Sequence, residues 1–241
     1  MNEFDFEGVF DDDYYYFYEP VLRERTAEDV ETIAGLFELE PGAQVLDCPC
    51  GHGRISNALA ARGFAVTGLD ASEGFLERAR AGAHDEGVEV EYVHGDMRKL
   101  PWRDRFDAAV NWFTSFGYFT DDQNKVVLRQ FHDALRPGGR LVIETQNIAR
   151  ILLRPQPQHW IERDGDLMLD EWELDLDQAR FLTARTVVRG GRTRRTHFVV
   201  RWFTVPELRG WLEDIGFENV RAPGLTLESR LVVVADRPQD P

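Results

Sequence analysis

The 241 residues carry 43 acidic side chains against 28 basic ones, a formal net charge of −15, with 43% apolar and 29% charged content. That balance suits one large soluble domain with a buried core. It speaks against a nucleic-acid partner, which needs a basic face to neutralise phosphates, and no apolar run reaches membrane-spanning length. The start, Met1-Asn2-Glu3-Phe4-Asp5, has neither the basic nor the apolar region of a signal peptide, so the expected location is cytoplasmic.

Residues 1–13 are acidic and aperiodic and end in Asp11-Asp12-Asp13, which reads as a mobile, solvated tail rather than a cation site. Five aromatics follow, Tyr14-Tyr15-Tyr16-Phe17-Tyr18. Such a run needs something to cover, either the domain's own sheet or the mouth of a ligand site. Thr26-Ala27-Glu28-Asp29 has the spacing of a capping box, with Thr26 as N-cap of a first helix that carries Val30, Ile33, Ala34 and Phe37 on one face. Pro41-Gly42 then breaks the chain.

Val45-Leu46-Asp47 reads as the end of a buried strand, Gly51 and Gly53 as a loop, and Arg54 to Arg62 as the helix after it. Strand, loop and helix bring backbone N–H groups and the positive end of a helix dipole to one point. Glycine admits a ligand to main chain that a Cβ would block. A second strand, Ala65 to Leu69, ends at Asp70, whose carboxylate can accept both hydroxyls of a ribose. The pattern is that of a nucleoside-cofactor site. Cys48 and Cys50 are poorly placed to bridge one another. With His52 they could ligate a metal, but no second ligand pair follows and a packing role is preferred.

Ser72 is placed to cap a helix carrying Phe75, Leu76 and Ala79. A third strand, Val88 to Val93, leads into Gly95-Asp96-Met97, and a fourth, Phe106 to Asn111, into an aromatic loop from Trp112 to Phe119. Thr120-Asp121-Asp122-Gln123 is a second capping box, opening a helix through Leu135 with Val126, Val127, Gln130 and Phe131 inward. Arg136-Pro137-Gly138-Gly139 stops it, and Leu141 to Glu144 is a fifth strand.

From Pro155 to Phe203 the period changes to two, with Arg189-Gly190-Gly191-Arg192 as a two-residue hairpin turn and Arg192-Thr193-Arg194-Arg195 as a solvated tip. This antiparallel insert, residues 155–203, is too small for a core of its own and is expected to pack on the main sheet. Thr204-Val205-Pro206-Glu207 opens a last helix with Leu208, Trp211, Leu212 and Ile215 inward. Phe217 to Arg221 and Arg230 to Ala235 close the sheet as an antiparallel pair. Strands alternating with helices make a doubly wound α/β domain, in which ligands bind beyond the C-terminal strand ends. Asp47, Asp70, Asp96 and Asn111 all fall there.

Five stretches now stand in order at compatible spacings: Val45-Leu46-Asp47 with the Gly51/Gly53 loop, Gly68-Leu69-Asp70-Ala71-Ser72, Gly95-Asp96-Met97, Phe106 to Asn111, and Leu135-Arg136-Pro137-Gly138-Gly139. Together they resemble the motifs of the class I S-adenosylmethionine-dependent methyltransferases, in detail over residues 26–146 and in outline over 204–235. The resemblance implies a seven-stranded Rossmann-like sheet with an antiparallel last strand, residues 26–241 as the catalytic domain, and residues 1–25 as an acidic and aromatic lid. Pro49 stands where that pattern often has glycine and has no N–H to donate, so the binding role falls to Gly51 and Gly53. A nicotinamide dinucleotide enzyme, the rival, needs a third glycine where Ser56 stands.

The resemblance implies S-adenosylmethionine as cofactor, with Asp70, followed by Ala71, on the ribose hydroxyls, Asp96 on the adenine amino group and Met97 against the ring. The Gly51/Gly53 loop would approach the methionine part, Asp47 or the main chain at Asn111 its ammonium, and Arg25 its carboxylate. Tyr16 and Tyr18 would cover the sulfonium, since tyrosine faces attract cations. Plainer readings stand beside these: Asp70 and Asp96 as helix caps, Arg25 as a surface arginine.

The aromatic loop with Tyr118 and the insert resemble those of small-molecule methyltransferases, including amino-sugar N-methyltransferases. The implied reaction is methyl transfer to a small molecule, an amine slightly favoured over an oxygen nucleophile. Tyr118, His159 and Arg201 are the candidate catalytic residues if the insert covers the pocket, while His132 and His197 read as structural. A protein or RNA methyltransferase and a non-catalytic S-adenosylmethionine-binding protein are the alternatives. No metal, nucleic-acid or membrane partner is expected, and the chain would be a monomer or a homodimer.

Overall fold

A single helix runs through both Pro20 and Thr26. In the computed structural model, which describes residues 4–239, α1 (Phe6–Val9) is followed by α2 (Asp12–Phe37), capped by the side chain of Asp11. The first three residues of the expected lid and the last two of the expected domain lie outside the described residues. Thr26 is therefore not an N-cap; its hydroxyl donates to the carbonyl of Leu22 at 2.9 Å, as mid-helix threonines do. Asp29 turns inward instead, held by Arg54 at 2.8 Å and Arg230 at 2.9 Å.

The acidic tail is also not free in its described part. Val9 is buried, Arg194 from the insert's tip pairs with Asp11 and Asp13, and Arg189 reaches Asp13 at 2.9 Å. Two stretches of opposite charge that each read as solvated when taken alone neutralise one another.

The alternating elements follow: β1 (Gln44–Asp47), α3 (Arg54–Ala61), β2 (Ala65–Asp70), α4 (Glu73–Glu86), β3 (Val90–His94), β4 (Phe106–Asn111), α5 (Asp121–Ala134), β5 (Leu135–Thr145) and α6 (Ile148–Leu153). The insert is β6 (Gln158–Arg163), β7 (Asp166–Asp175), β8 (Arg180–Arg189) and β9 (Arg192–Arg201). After it come α7 (Val205–Ile215), β10 (Glu218–Arg221) and β11 (Leu231–Asp236).

The main sheet has the order β10-β11-β5-β4-β1-β2-β3, parallel except for β11, which runs antiparallel to both β5 and β10. Helices cover both faces. Leu46, Leu69, Ile143 and Val233 meet Leu128 and Phe131 of α5 and Leu208 and Leu212 of α7 on one side. Val45, Val66, Val110 and Val142 meet Ile33 and Phe37 of α2 and Ile55 and Leu59 of α3 on the other. Ser72, Thr120 and Thr204 cap α4, α5 and α7 through their side chains. In α5 the buried face is Asn124, Val127, Leu128, Phe131 and Ala134, with Val126 and Gln130 at its margin. Pairing of β5 begins at Leu135 rather than Leu141, because the turn residues continue alongside β4.

The insert forms a second, four-stranded antiparallel sheet in the order β6-β7-β8-β9. Its apolar contact differs from expectation. Met168 and Val187 bury themselves with Phe17, flanked by Tyr16, Tyr18 and Ile161, so the insert's sheet packs on α2, and its last residue, Phe203, is the part that joins the core of the main sheet. Part of the aromatic run thus covers a second sheet. Among the described residues no helix is long and apolar enough to cross a membrane.

Candidate functional site

From β1 the sheet grows one way through β2 and the other way through β4, so the loops at these strand ends diverge and open a crevice. A cleft of about 1070 Å³, counting its mouth, lies there. Asp47, Gly51, Asp70, Ala71, Asp96 and Met97 line its strand side, and Phe4, Phe10, Tyr14, Phe75 and Tyr118 are among its aromatic wall.

Asp70 is braced at the centre. Its Oδ2 accepts from the N–H of Gly51 at 2.8 Å and its Oδ1 from that of Ser72 at 2.9 Å, leaving a lone pair on each oxygen. Burial pushes its carboxyl up, opposed by the N–H groups of Ser72, Gly51 and Ala71. Gly51 has a φ of 55°, and a Cβ there would meet no atom within 4 Å, so the loop leaves open space beside its main chain. Asp47 accepts the hydroxyl of Ser56 at 2.6 Å, and burial pushes its carboxyl up to about 7. Asp96 is less enclosed. Burial raises its carboxyl, but the Arg98 side chain (2.9 Å from Nε and 2.7 Å from Nη2 to Oδ2) and its N–H outweigh this and hold it below the usual range.

The other expected site residues divide. Gly53 is absent from the cleft; its φ of 83° starts α3, and a Cβ would sit 2.7 Å from that of Ala79, so it serves the approach of α3 to α4. Asn111 is fully buried and donates to the carbonyl of Cys48 at 2.9 Å, joining β4 to the loop after β1. Tyr16 points away to the insert, with its hydroxyl 3.1 Å from the Asp164 carboxylate. Arg201 does not line the cleft; it is buried, pairs with Glu207 and lies 3.4 Å from Asp121, tying the end of β9 to α7 and α5. Cys48 and Cys50 are free and buried, and among the described residues no metal-binding cluster occurs.

Tyr18, Arg25 and His159 line a second cavity, about 1960 Å³ counting its mouth, between the main sheet and the insert. Tyr118 borders both cavities, as do Phe10, Tyr14, Phe113 and Ser115. On the insert's wall Arg185 faces Asp170 across β8 and β7 and holds both its oxygens at 2.7 Å. Burial pushes the Tyr14 phenol up to about 12 and those of Tyr18 and Tyr118 higher, so all three stay protonated. On the sheet side stands Glu144, 3% exposed, whose Oε2 accepts from the N–H of Thr114 at 3.0 Å. Burial pushes its carboxyl up to about 7, with Arg230, the Thr114 N–H and Arg25 pulling it down.

Sequence reasoning missed Tyr14, the Asp170–Arg185 pair and Glu144. The last was findable, since it is the last residue but one of β5, beside the same edge of the sheet that Asp47 reaches at the end of β1. The pair depends on hairpin register across the insert and had no local signal.

A methyltransferase-domain family model matches residues 45–139. Rat (Rattus norvegicus) glycine N-methyltransferase is 33% identical over 145 residues, covering 54% of this chain and 49% of that protein. The 27-O-demethylrifamycin SV methyltransferase of Amycolatopsis mediterranei (strain S699) is 31% identical over 173 residues, covering 66% of this chain and 61% of its own. The chain thus spans about half to three fifths of the length of these relatives. Among solved structures, the methyltransferase CcbJ from Streptomyces caelestis superposes with a TM-score of 0.73 over 90% of each chain at 23% identity, a likeness of fold.

Proposed function

We propose that the chain is a class I S-adenosylmethionine-dependent methyltransferase, as its match to a methyltransferase-domain family model over residues 45–139 supports, and that it methylates a small molecule seated in the second cavity. The observation that carries this reading is the shared wall. Phe10, Tyr14, Phe113, Ser115 and Tyr118 border both cavities, so a donor in one and an acceptor in the other meet across one largely aromatic boundary.

The first cleft suits the cofactor: open space beside Gly51, spare lone pairs on a braced Asp70, and Asp96 and Met97 beyond the end of β3. Asp70 takes the ribose hydroxyls with Ala71 beside it, Asp96 the purine amino group, Met97 the ring, and Asp47 the ammonium. Tyr14 takes the part first given to Tyr16. Bound there, S-adenosylmethionine supplies a methyl group on a sulfonium sulfur that needs no further activation. The protein's work is to exclude water and to align the two reactants. An amine acceptor is favoured by Glu144 and by the Tyr14, Tyr18 and Tyr118 faces at the second cavity. The two relatives' names divide between nitrogen and oxygen acceptors. The charge of −15 favours a small molecule over a nucleic acid, and we read the protein as a cytoplasmic monomer or homodimer.

Calorimetric titration with S-adenosylmethionine, S-adenosylhomocysteine and NAD tests the cofactor. A screen of small amines and alcohols with radiolabelled methyl donor tests the transfer. Preference for NAD would sink the reading, and cofactor binding without turnover of any acceptor would leave a binding protein in its place.

A further inference from the structure

We propose that Glu144 is a catalytic base, the group that receives the acceptor's proton before its nucleophile attacks. This rests on the second cavity being the acceptor's.

The position of Glu144 follows from the sheet. Ile143 pairs with Asn111, so Glu144 stands beside the first residues of the loop after β4, the loop that supplies Phe113 and Ser115 to the wall between the cavities. The carboxylate is used on one side only. Oε2 accepts the Thr114 N–H, whereas Oε1 has no hydrogen-bond or ion-pair partner among the described residues, and the side chain borders the cavity. Phe113 and Thr114 both sit in the left-handed region, with φ of 60° and 54°. Two adjacent non-glycine residues persist there only when their surroundings fix them. The Thr114 bond does part of that fixing, so carboxylate and wall are set in one geometry.

Other proton acceptors near the acceptor are less fit. Both oxygens of Asp170 are taken by Arg185. Asp47 lies on the far side of the wall under Ser56. The three tyrosines stay protonated, and His159 is exposed on edge strand β6.

The charged groups facing Glu144 are Arg25 and Asp29 from α2 and Arg230 from the segment before β11. Asp29 engages Arg230 at 2.9 Å, Arg54 at 2.8 Å and Arg25 at 3.9 Å, so the cations near Glu144 are largely answered by another acid. Burial then dominates, and near neutrality the carboxyl exists in both forms.

The acceptor is taken as an amine, which reaches the cavity as an ammonium. An ammonium N–H gives its proton to Oε1, and the freed lone pair forms the N–C bond to the methyl carbon. The C–S bond breaks with its electron pair returning to sulfur, leaving a neutral thioether and a methylated ammonium. That ammonium keeps its charge on leaving, and Glu144 gives its proton to solvent.

The test uses Glu144→Gln, whose amide oxygen can still accept from Thr114, with cofactor calorimetry confirming an intact first cleft. Infrared difference spectra of the S-adenosylhomocysteine complex, wild type minus E144Q, should contain a carboxylic acid band that disappears between pH 6 and 8. In steady state, with whichever acceptor the screen returns, kcat/KM at pH 7 should fall about 100-fold or more. The acid limb near pH 7 should also vanish from its pH profile. A Glu144 ionised throughout that range, or an E144Q enzyme with the wild-type rate and profile, overturns the proposal and leaves the methyltransferase reading standing. A screen without turnover overturns both.

Discussion

Tyr14 and Tyr18, one turn apart on α2, stack with ring centroids 4.6 Å apart and planes 22° from parallel. The Arg185 guanidinium lies 5.4 Å from one ring and 5.7 Å from the other while holding Asp170. Helix α2 and the insert therefore share a single polar and aromatic joint, and it forms a wall of the second cavity. Arg185 also donates to the carbonyl of Val9 at 3.2 Å, extending the joint to α1.

Removing one partner of a buried ion pair leaves the other charge without an answer. Arg185→Ala should therefore lower stability by about 3–5 kcal/mol. The double substitution Arg185→Met with Asp170→Leu should recover most of the loss, since neither charge is then left buried alone. Denaturant unfolding of the three proteins decides it. Equal losses in the single and double variants would mean that the joint is held by the rings and not by the ion pair.

Asp70→Ala removes the acceptor for the Gly51 and Ser72 N–H groups together with the expected ribose contact. Affinity for S-adenosylmethionine should drop by about 1–3 kcal/mol, the usual cost of a buried hydrogen-bonding group lost. Calorimetry measures this directly, and an unchanged dissociation constant would remove Asp70 from the cofactor site.

The two loop glycines should behave differently. Gly51→Ala strains a left-handed residue by about 1–2 kcal/mol but adds its methyl to open space, so its main effect should be on cofactor affinity. Gly53→Ala carries the same strain and in addition drives a methyl into Ala79, so it should lower the unfolding midpoint further. Thermal unfolding without cofactor, paired with cofactor titration, separates the two; identical behaviour would count against the division of roles.

The period-two and helical patterns carried the fold because each face is set by residues a few positions apart. β4 falls within its expected ends, and the antiparallel order of β11 against β5 appears as read. Asp47, Gly51, Asp70, Asp96 and Met97 came together because all lie at strand ends or just beyond them, a local signal. What failed depended on partners far along the chain. Thr26 has a capping pattern, but Asp11 had already started the helix. Arg201 looked free until the end of β9 met α7. Tyr14 and Tyr16 are indistinguishable in a run of aromatics, and only the helix phase sends one to the cavities and the other to Asp164.

Arg201, a catalytic candidate by sequence, should behave as a structural residue. Arg201→Lys weakens its pairing with Glu207 and Asp121 outside the lining of either cavity, so it should lower the unfolding midpoint while kcat/KM stays within about twofold. A large loss of turnover with unchanged stability would return Arg201 to the active site.

Asp47 gives the protein a pH dependence of predictable sign. Its folded carboxyl titrates at about 7, against an ordinary value of 3.8. Between those values the folded state holds the proton more tightly than the unfolded chain, so the contribution to stability is complete below pH 3.8 and is lost as pH rises through 7. Asp47→Asn, which still accepts from Ser56, removes this dependence. Relative to wild type it should be more stable at pH 8 than at pH 5, by on the order of 1–3 kcal/mol. Glu144, also titrating at about 7, acts with the same sign, so D47N should keep a smaller slope that E144Q reduces further. Urea unfolding of wild type, D47N and the double variant across that range measures the differences, and parallel profiles would mean that Asp47 is already ionised in the folded protein.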